Sequence, residues 1–174
     1  MILSLVLTFS CHDRPGIVNA ISERIAQAGG SWLESRLARL AGEFAGIVLI
    51  RIDEARMPEL DRSLSGLKES GLRITLARSA AQPAAQRRVL ALTLVGQDRP
   101  GIVRDVTQAL SALGANIEDF SSAIESAPFT GETMFRATAR LTLGAGLGTE
   151  QVRASLERLA DEIMVDLNEA EGEG

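Results

Sequence analysis

The hexapeptide Asp13-Arg14-Pro15-Gly16-Ile17-Val18 recurs unchanged as Asp98-Arg99-Pro100-Gly101-Ile102-Val103, 85 residues further along the chain. That period is close to half of the 174 residues. It is too long for a solenoid repeat and points instead to a duplicated small domain. Whatever fold one half adopts, the other must adopt as well, and each must close a core with roughly 80 residues, near the lower limit for a domain.

The apolar patterning of the halves agrees. Leu3, Leu5, Leu7 and Phe9 alternate with Ile2, Ser4, Val6 and Thr8, a strand with one strongly apolar face. Pro15 suits the first turn of a helix, where a missing N–H costs nothing. Asp13 stands where a carboxylate can cap the free amides. Ile17, Ile21 and Ile25 share a helix face, and Gly29-Gly30 ends the helix. Strands over 31–40 and 43–52 meet at Ala41-Gly42. Pro58 opens a helix carrying Leu60, Leu64 and Leu67, Gly71 closes it, and Leu72, Ile74 and Leu76 form a last short strand.

The second half repeats the order. A strand over 89–95 leads to a helix from Pro100 with Ile102, Val106, Leu110 and Leu113, and Gly114 takes the place of Gly29. Strands over 116–125 and 133–143 follow, then a helix with Val152, Leu156 and Leu159 and a strand over 163–167. Right-handed crossovers on this βαββαβ order predict an α+β fold. Two ferredoxin-like units each have a four-stranded antiparallel sheet with both helices on one face. The predicted divisions are domain 1 over 1–78, a linker over 79–88, domain 2 over 89–168, and a disordered acidic tail over 169–174. The outer sheet face, with Ile2 and Val6, needs cover, or a sheet edge must pair; the two copies in one chain can supply this internally, and a homo-oligomer is also expected.

Charge and composition narrow the function. Residues 1–78 carry a net +1 and residues 89–168 a net −5. An acidic second half disfavours contact with a phosphate backbone. Aromatic residues are 3% with no Tyr, too few for base-stacking platforms, so no direct nucleic-acid binding is expected. No stretch approaches the roughly 20 apolar residues of a membrane span. One cysteine and no basic leader favour the cytoplasm.

Chemistry-bearing clusters are sparse. Cys11 and His12 are neighbours on a strand and should face apart, as should Glu118 and Asp119, so neither pair makes a nucleophile, acid–base or metal site. Gly144-Ala145-Gly146-Leu147-Gly148 lacks the G-x-G-x-x-G spacing and a parallel βαβ unit, and reads as a flexible loop. No catalytic residues, no metal and no cofactor are expected, and hence no enzyme.

The βαββαβ unit with D-R-P-G-[IV] after its first strand and G-x-N-I after its first helix resembles the ACT domain. The second copy reads Asp98-Arg99-Pro100-Gly101-Ile102 and Gly114-Ala115-Asn116-Ile117, and the first Asp13-Arg14-Pro15-Gly16-Ile17 and Gly29-Gly30-Ser31-Trp32. A chain of two such units is similar to the glycine cleavage system transcriptional repressor family. The stretch Ser126-Ala127-Pro128-Phe129-Thr130-Gly131, running into Met134-Phe135, also resembles that family's second repeat. The resemblance implies a sensor of a small amino acid, glycine or similar, that acts through a protein partner such as a transcription activator.

The residues suggest how such a ligand is held. Its carboxylate suits the helix-start amides after Asp98, Arg99 and Pro100. Gly101 admits close approach, and Asn116 offers donor and acceptor to a zwitterion. Asp98 either attracts the ammonium or caps the helix, while Ile102 and Ile117 set side-chain size. Arg99 and Arg14 read as solvated loop arginines, with a carboxylate clamp as the alternative. The first copy, with Asp13, Arg14, Pro15, Gly16, Ile17 and Ser31, reads as the weaker site, and Trp32 as a core or interface residue. The second copy is the preferred site, its ligand bridging two domains or two chains. The competing reading is a ligand-free regulatory or assembly subunit of an amino-acid-metabolic enzyme.

Overall fold

The computed structural model describes residues 1–79, 88–126, 131–159 and 163–170; most of the expected linker and of the hairpin tip lie outside the described residues. The chain forms two compact units, Met1–Gln82 and Pro83–Gly174. The first contains β1 (Ile2–His12), α1 (Ile17–Gln27), β2 (Ser31–Leu40), β3 (Glu43–Asp53), α2 (Met57–Lys68) and β4 (Arg73–Arg78), with a 3₁₀ turn, Glu54–Arg56, before α2. The second contains β5 (Arg88–Gln97), α3 (Ile102–Ala112), β6 (Asn116–Ser126), β7 (Thr133–Leu143), α4 (Thr149–Glu157) and β8 (Met164–Ala170). The sheets run β2-β3-β1-β4 and β6-β7-β5-β8, antiparallel between neighbours. The predicted ferredoxin-like architecture is therefore present twice.

Each core lies between one sheet face and the two helices. In the first unit Leu5, Leu7 and Phe9 of β1 and Val48 and Ile50 of β3 meet Ile21, Ile25, Leu60 and Leu64 from the helices, all buried. In the second, Leu90, Leu92 and Leu94 meet Val106, Leu110, Val152 and Leu156. Each such side chain contributes about 1.5–3 kcal/mol by leaving water. The outer face of the first sheet keeps apolar residues: Val6 lies opposite Leu49 and Ala77, and Ile47 stays 49% exposed.

Several boundaries differ from the sequence reading. β8 continues to Ala170, with Glu169 opposite Leu90 and its carboxylate paired to Arg88, so the expected tail begins inside the sheet. Arg88, expected in the linker, is the first residue of β5. A β-bulge interrupts β2 between Trp32 and Glu34, and another interrupts β6 between Ile117 and Asp119. The extra residue breaks strict alternation, so Ile117 and Phe120 both pack on the core. The same bulge corrects the expectation for Glu118 and Asp119. Glu118 accepts from Arg140 and Thr142, and Asp119 lies opposite Arg140, so both carboxylates belong to the sheet face away from the helices. Cys11 and His12 do diverge: the thiol is buried, and the imidazole is exposed beside Glu43.

Gly46 shows how tightly the first sheet is packed. It lies opposite Phe9, and a Cβ there would collide with the Leu37 side chain and come within 2.9 Å of Phe9 Cε1 and 3.0 Å of the Arg36 carbonyl oxygen. Gly66 on α2 has open space at the same position. Gly46→Ala is expected to lower unfolding stability by about 1–3 kcal/mol through overpacking. Gly66→Ala is expected to raise it by about 0.5–1 kcal/mol through helix propensity. Urea unfolding of the two variants checks the opposite signs.

Candidate ligand site

The repeated hexapeptide builds the same local structure twice. Gly16 has φ 91° and ψ −1°, and Gly101 φ 86° and ψ 3°. These are the angles of the third residue of a type II turn, whose second residue favours proline. The helices begin only at Ile17 and Ile102, so Pro15 and Pro100 stand before the helix, which corrects the first-turn position expected from sequence. Proline fixes one dihedral and glycine supplies the left-handed one, and together they turn the chain from strand into helix. Ile102 N–H donates to the Arg99 carbonyl across the second turn at 3.3 Å.

Neither helix start has a side-chain cap, which corrects the capping role expected for Asp13 and open for Asp98. The Asp13 carboxylate accepts from Arg39 Nε, and its backbone N–H donates to Gly42 O at 2.8 Å. The Asp98 backbone N–H donates to Thr133 O at 2.9 Å. Ile17 and Ile102 are each 4% exposed and belong to the cores, not to a ligand-facing surface.

The matched arginines do different work. Arg14 Nη2 donates to the Ser70 carbonyl at 2.9 Å, just past α2, where the helix dipole favours a cation. Arg99 Nη1 donates to Asp105 Oδ2 at 2.7 Å, and Arg104 adds Nη2 and Nε to Asp105 Oδ1 at 2.8 and 3.0 Å. The hydrogen bond from Arg99, and next that from Arg104, hold the Asp105 carboxyl below the ordinary aspartate value. Arg99 thus clamps a carboxylate, one from its own chain. The Arg104 side chain also lies over Gly101, where a Cβ would meet its Nη2 at 3.2 Å, whereas nothing stands within 4 Å of that position on Gly16. A cavity of about 210 Å³ opens beside the first turn, its lining including Arg14, Gly16, Ala20, Leu67, Ser70 and Leu72.

Asn116 does not join the second turn. It pairs with Thr142, which lies opposite Val89 at one end of β5, while the turn follows Gln97 at the other end. Eight residues of strand place these ends about 26 Å apart. Asn116 Nδ2 reaches Thr142 Oγ1 at 3.5 Å, and Thr142, 5% exposed, donates to Glu118 Oε1 at 3.0 Å. Asn116, Thr142, Arg88 and the loop Gly144–Gly148 border an open cleft of about 750 Å³. Ile117 is half-buried against the second core, Ser31 is exposed opposite Arg51, and Trp32 packs partly buried on the first core. Asp105, Arg104 and Ala20 were missed from sequence. Aligning the repeats past the hexapeptide, where Asn19-Ala20 faces Arg104-Asp105, carries that signal.

Residues 4–76 and 91–161 each match the ACT domain. The chain belongs to the ACT-domain family, as two copies in tandem. It is 31% identical over 131 residues to the glycine cleavage system transcriptional repressors of Escherichia coli K12 and Shigella flexneri, a match covering 71% of this chain and 66% of each relative, just under two thirds of their length. The crystal structure of an unknown protein from Galdieria sulphuraria superposes with a TM-score of 0.82 at 30% identity, covering 98% of this chain and 99% of that one. A structure described as a candidate glycine cleavage system transcriptional repressor superposes at 0.71 with 19% identity over 98% and 99%, which shows a shared fold. Among the described residues no His, Cys, Asp and Glu cluster could hold a metal ion, and no helix is long and apolar enough to cross a membrane.

The lowered Asp105 pKa predicts a pH effect. Its contribution to stability is complete above the unfolded value near 3.8 and is lost as pH falls through the lower folded value. Asp105→Asn should remove that acid-sensitive component. The component of the same sign from Asp53, lowered mainly by the Ala55 N–H, should remain. Urea midpoints measured from about pH 6 down to about pH 3 in both proteins check this.

Proposed function

We propose that this chain senses a small amino acid, glycine or one close to it in size, and passes the signal to a protein partner in transcriptional regulation. The observation that carries the reading is the pair of helix starts without a side-chain cap, each entered through a Pro-Gly turn, in a tandem ACT chain. Amides at such a helix start point outward with the positive end of the helix dipole and suit a carboxylate. The named function of the Escherichia coli and Shigella flexneri relatives supports the regulatory half of the reading.

The ligand acts by binding one arrangement of the protein more tightly than another, for a ligand with equal affinity for both shifts nothing. The acidic second half repels a phosphate backbone, so contact with DNA falls to the partner. No chemistry on the ligand is required, and the chain works as a non-enzymatic binding module.

Calorimetric titration of the purified chain against the common amino acids tests the ligand half. Saturable heat and a raised melting temperature with glycine or a similarly small amino acid are expected. No heat and no thermal shift with any of them would refute it. For the partner half, affinity capture should retain a DNA-binding protein in an amino-acid-dependent manner, and the chain alone should leave DNA mobility unchanged.

A further inference from the structure

We propose that the two Pro-Gly turns have diverged in use: the second is filled by the chain's own carboxylate, Asp105, and the first, around Arg14, Gly16 and Ala20, takes a small external carboxylate. The inference rests on the amino-acid-sensing reading and assigns its binding unit.

Three observations converge. First, Arg99 binds a carboxylate, which shows what an arginine at this point of the repeat can hold. Its counterpart Arg14 gives one N–H to the Ser70 carbonyl, and a guanidinium has five. Second, the residue matching Asp105 is Ala20, which brings no carboxylate, and the cavity of about 210 Å³ lies beside it. Third, the residue matching Arg104 is Asn19, whose side chain donates along α1 to Glu23 at 2.9 Å and leaves Gly16 uncovered. Arginine, turn glycine and missing cover thus coincide in one unit, and the same three positions are blocked in the other.

The cavity also sets a size. It equals the liquid volume of about seven waters, and Ile17, Ala20, Leu67 and Leu72 are apolar residues of its lining. A carboxylate with an α-amino group and little or no side chain fits, while bulkier amino acids exceed this space.

The test is backbone-amide NMR of the full chain, titrated with glycine and separately with acetate as a probe for the carboxylate alone. Saturable shifts are expected at residues 16–20, with residues 101–105 unmoved. Ala20→Asp installs the occupant of the second repeat and should weaken glycine binding tenfold or more. The double variant Arg104→Asn, Asp105→Ala gives the second turn the residues of the first and should bring shifts to residues 101–105. Glycine shifts confined to residues 101–105 or to Asn116 in the unaltered chain would overturn the inference and leave the sensing reading standing. Unchanged affinity in a folded Ala20→Asp variant would also overturn it. No shift anywhere with any small amino acid would remove both.

Discussion

Each unit depends on one backbone constraint, the change of direction between its first strand and its first helix. The central strands β1 and β5 have neighbours on both sides, so their course is fixed by two ladders of hydrogen bonds. To lay a helix back over the sheet the chain must turn within a few residues, and a glycine with positive φ does this without the Cβ clash that any other residue meets. Ile17 and Ile102 then fall directly onto their cores. Because the turn uses dihedral angles and not a side-chain cap, no side chain caps the helix start beyond it. The fold and the proposed ligand site rest on one local solution.

The architecture was legible in the sequence because apolar period and turn residues agree at every element. Leu5, Leu7 and Phe9 read as a strand face, and Ile17, Ile21 and Ile25 as a helix face, and both are buried. The details that escaped are those that periodicity cannot express. A bulge moves Phe120 into register with the core by adding a residue, and an alternating pattern has no term for it. Proline before glycine fits both a helix start and a type II turn, and only the angles at Gly16 and Gly101 separate the two.

The candidate site was legible in part. The repeated motif located the turns, but repetition drew notice to what the halves share, whereas the distinction between them lies just beyond, at Asn19-Ala20 and Arg104-Asp105. Asn116 is grouped with the second turn by the motif pair and by its donor and acceptor, yet antiparallel strands carry the two to opposite ends of one sheet. Charge pairing also differs: Asp13 engages Arg39 on the neighbouring hairpin, while Arg99 turns inward to Asp105. Two identical hexapeptides are therefore held in different electrostatic surroundings.

The clasp between Arg88 and Glu169 joins the first residue of β5 to a residue near the end of β8, and in the first unit the Ser79 N–H reaches the Ser4 carbonyl at 2.9 Å. Both ends of each unit consequently emerge side by side, from a central strand and the edge strand next to it. A module whose entry and exit are neighbours can be copied head to tail, cut at one hairpin and rejoined at its ends, or spliced into a loop of a host protein, without any strand being rethreaded.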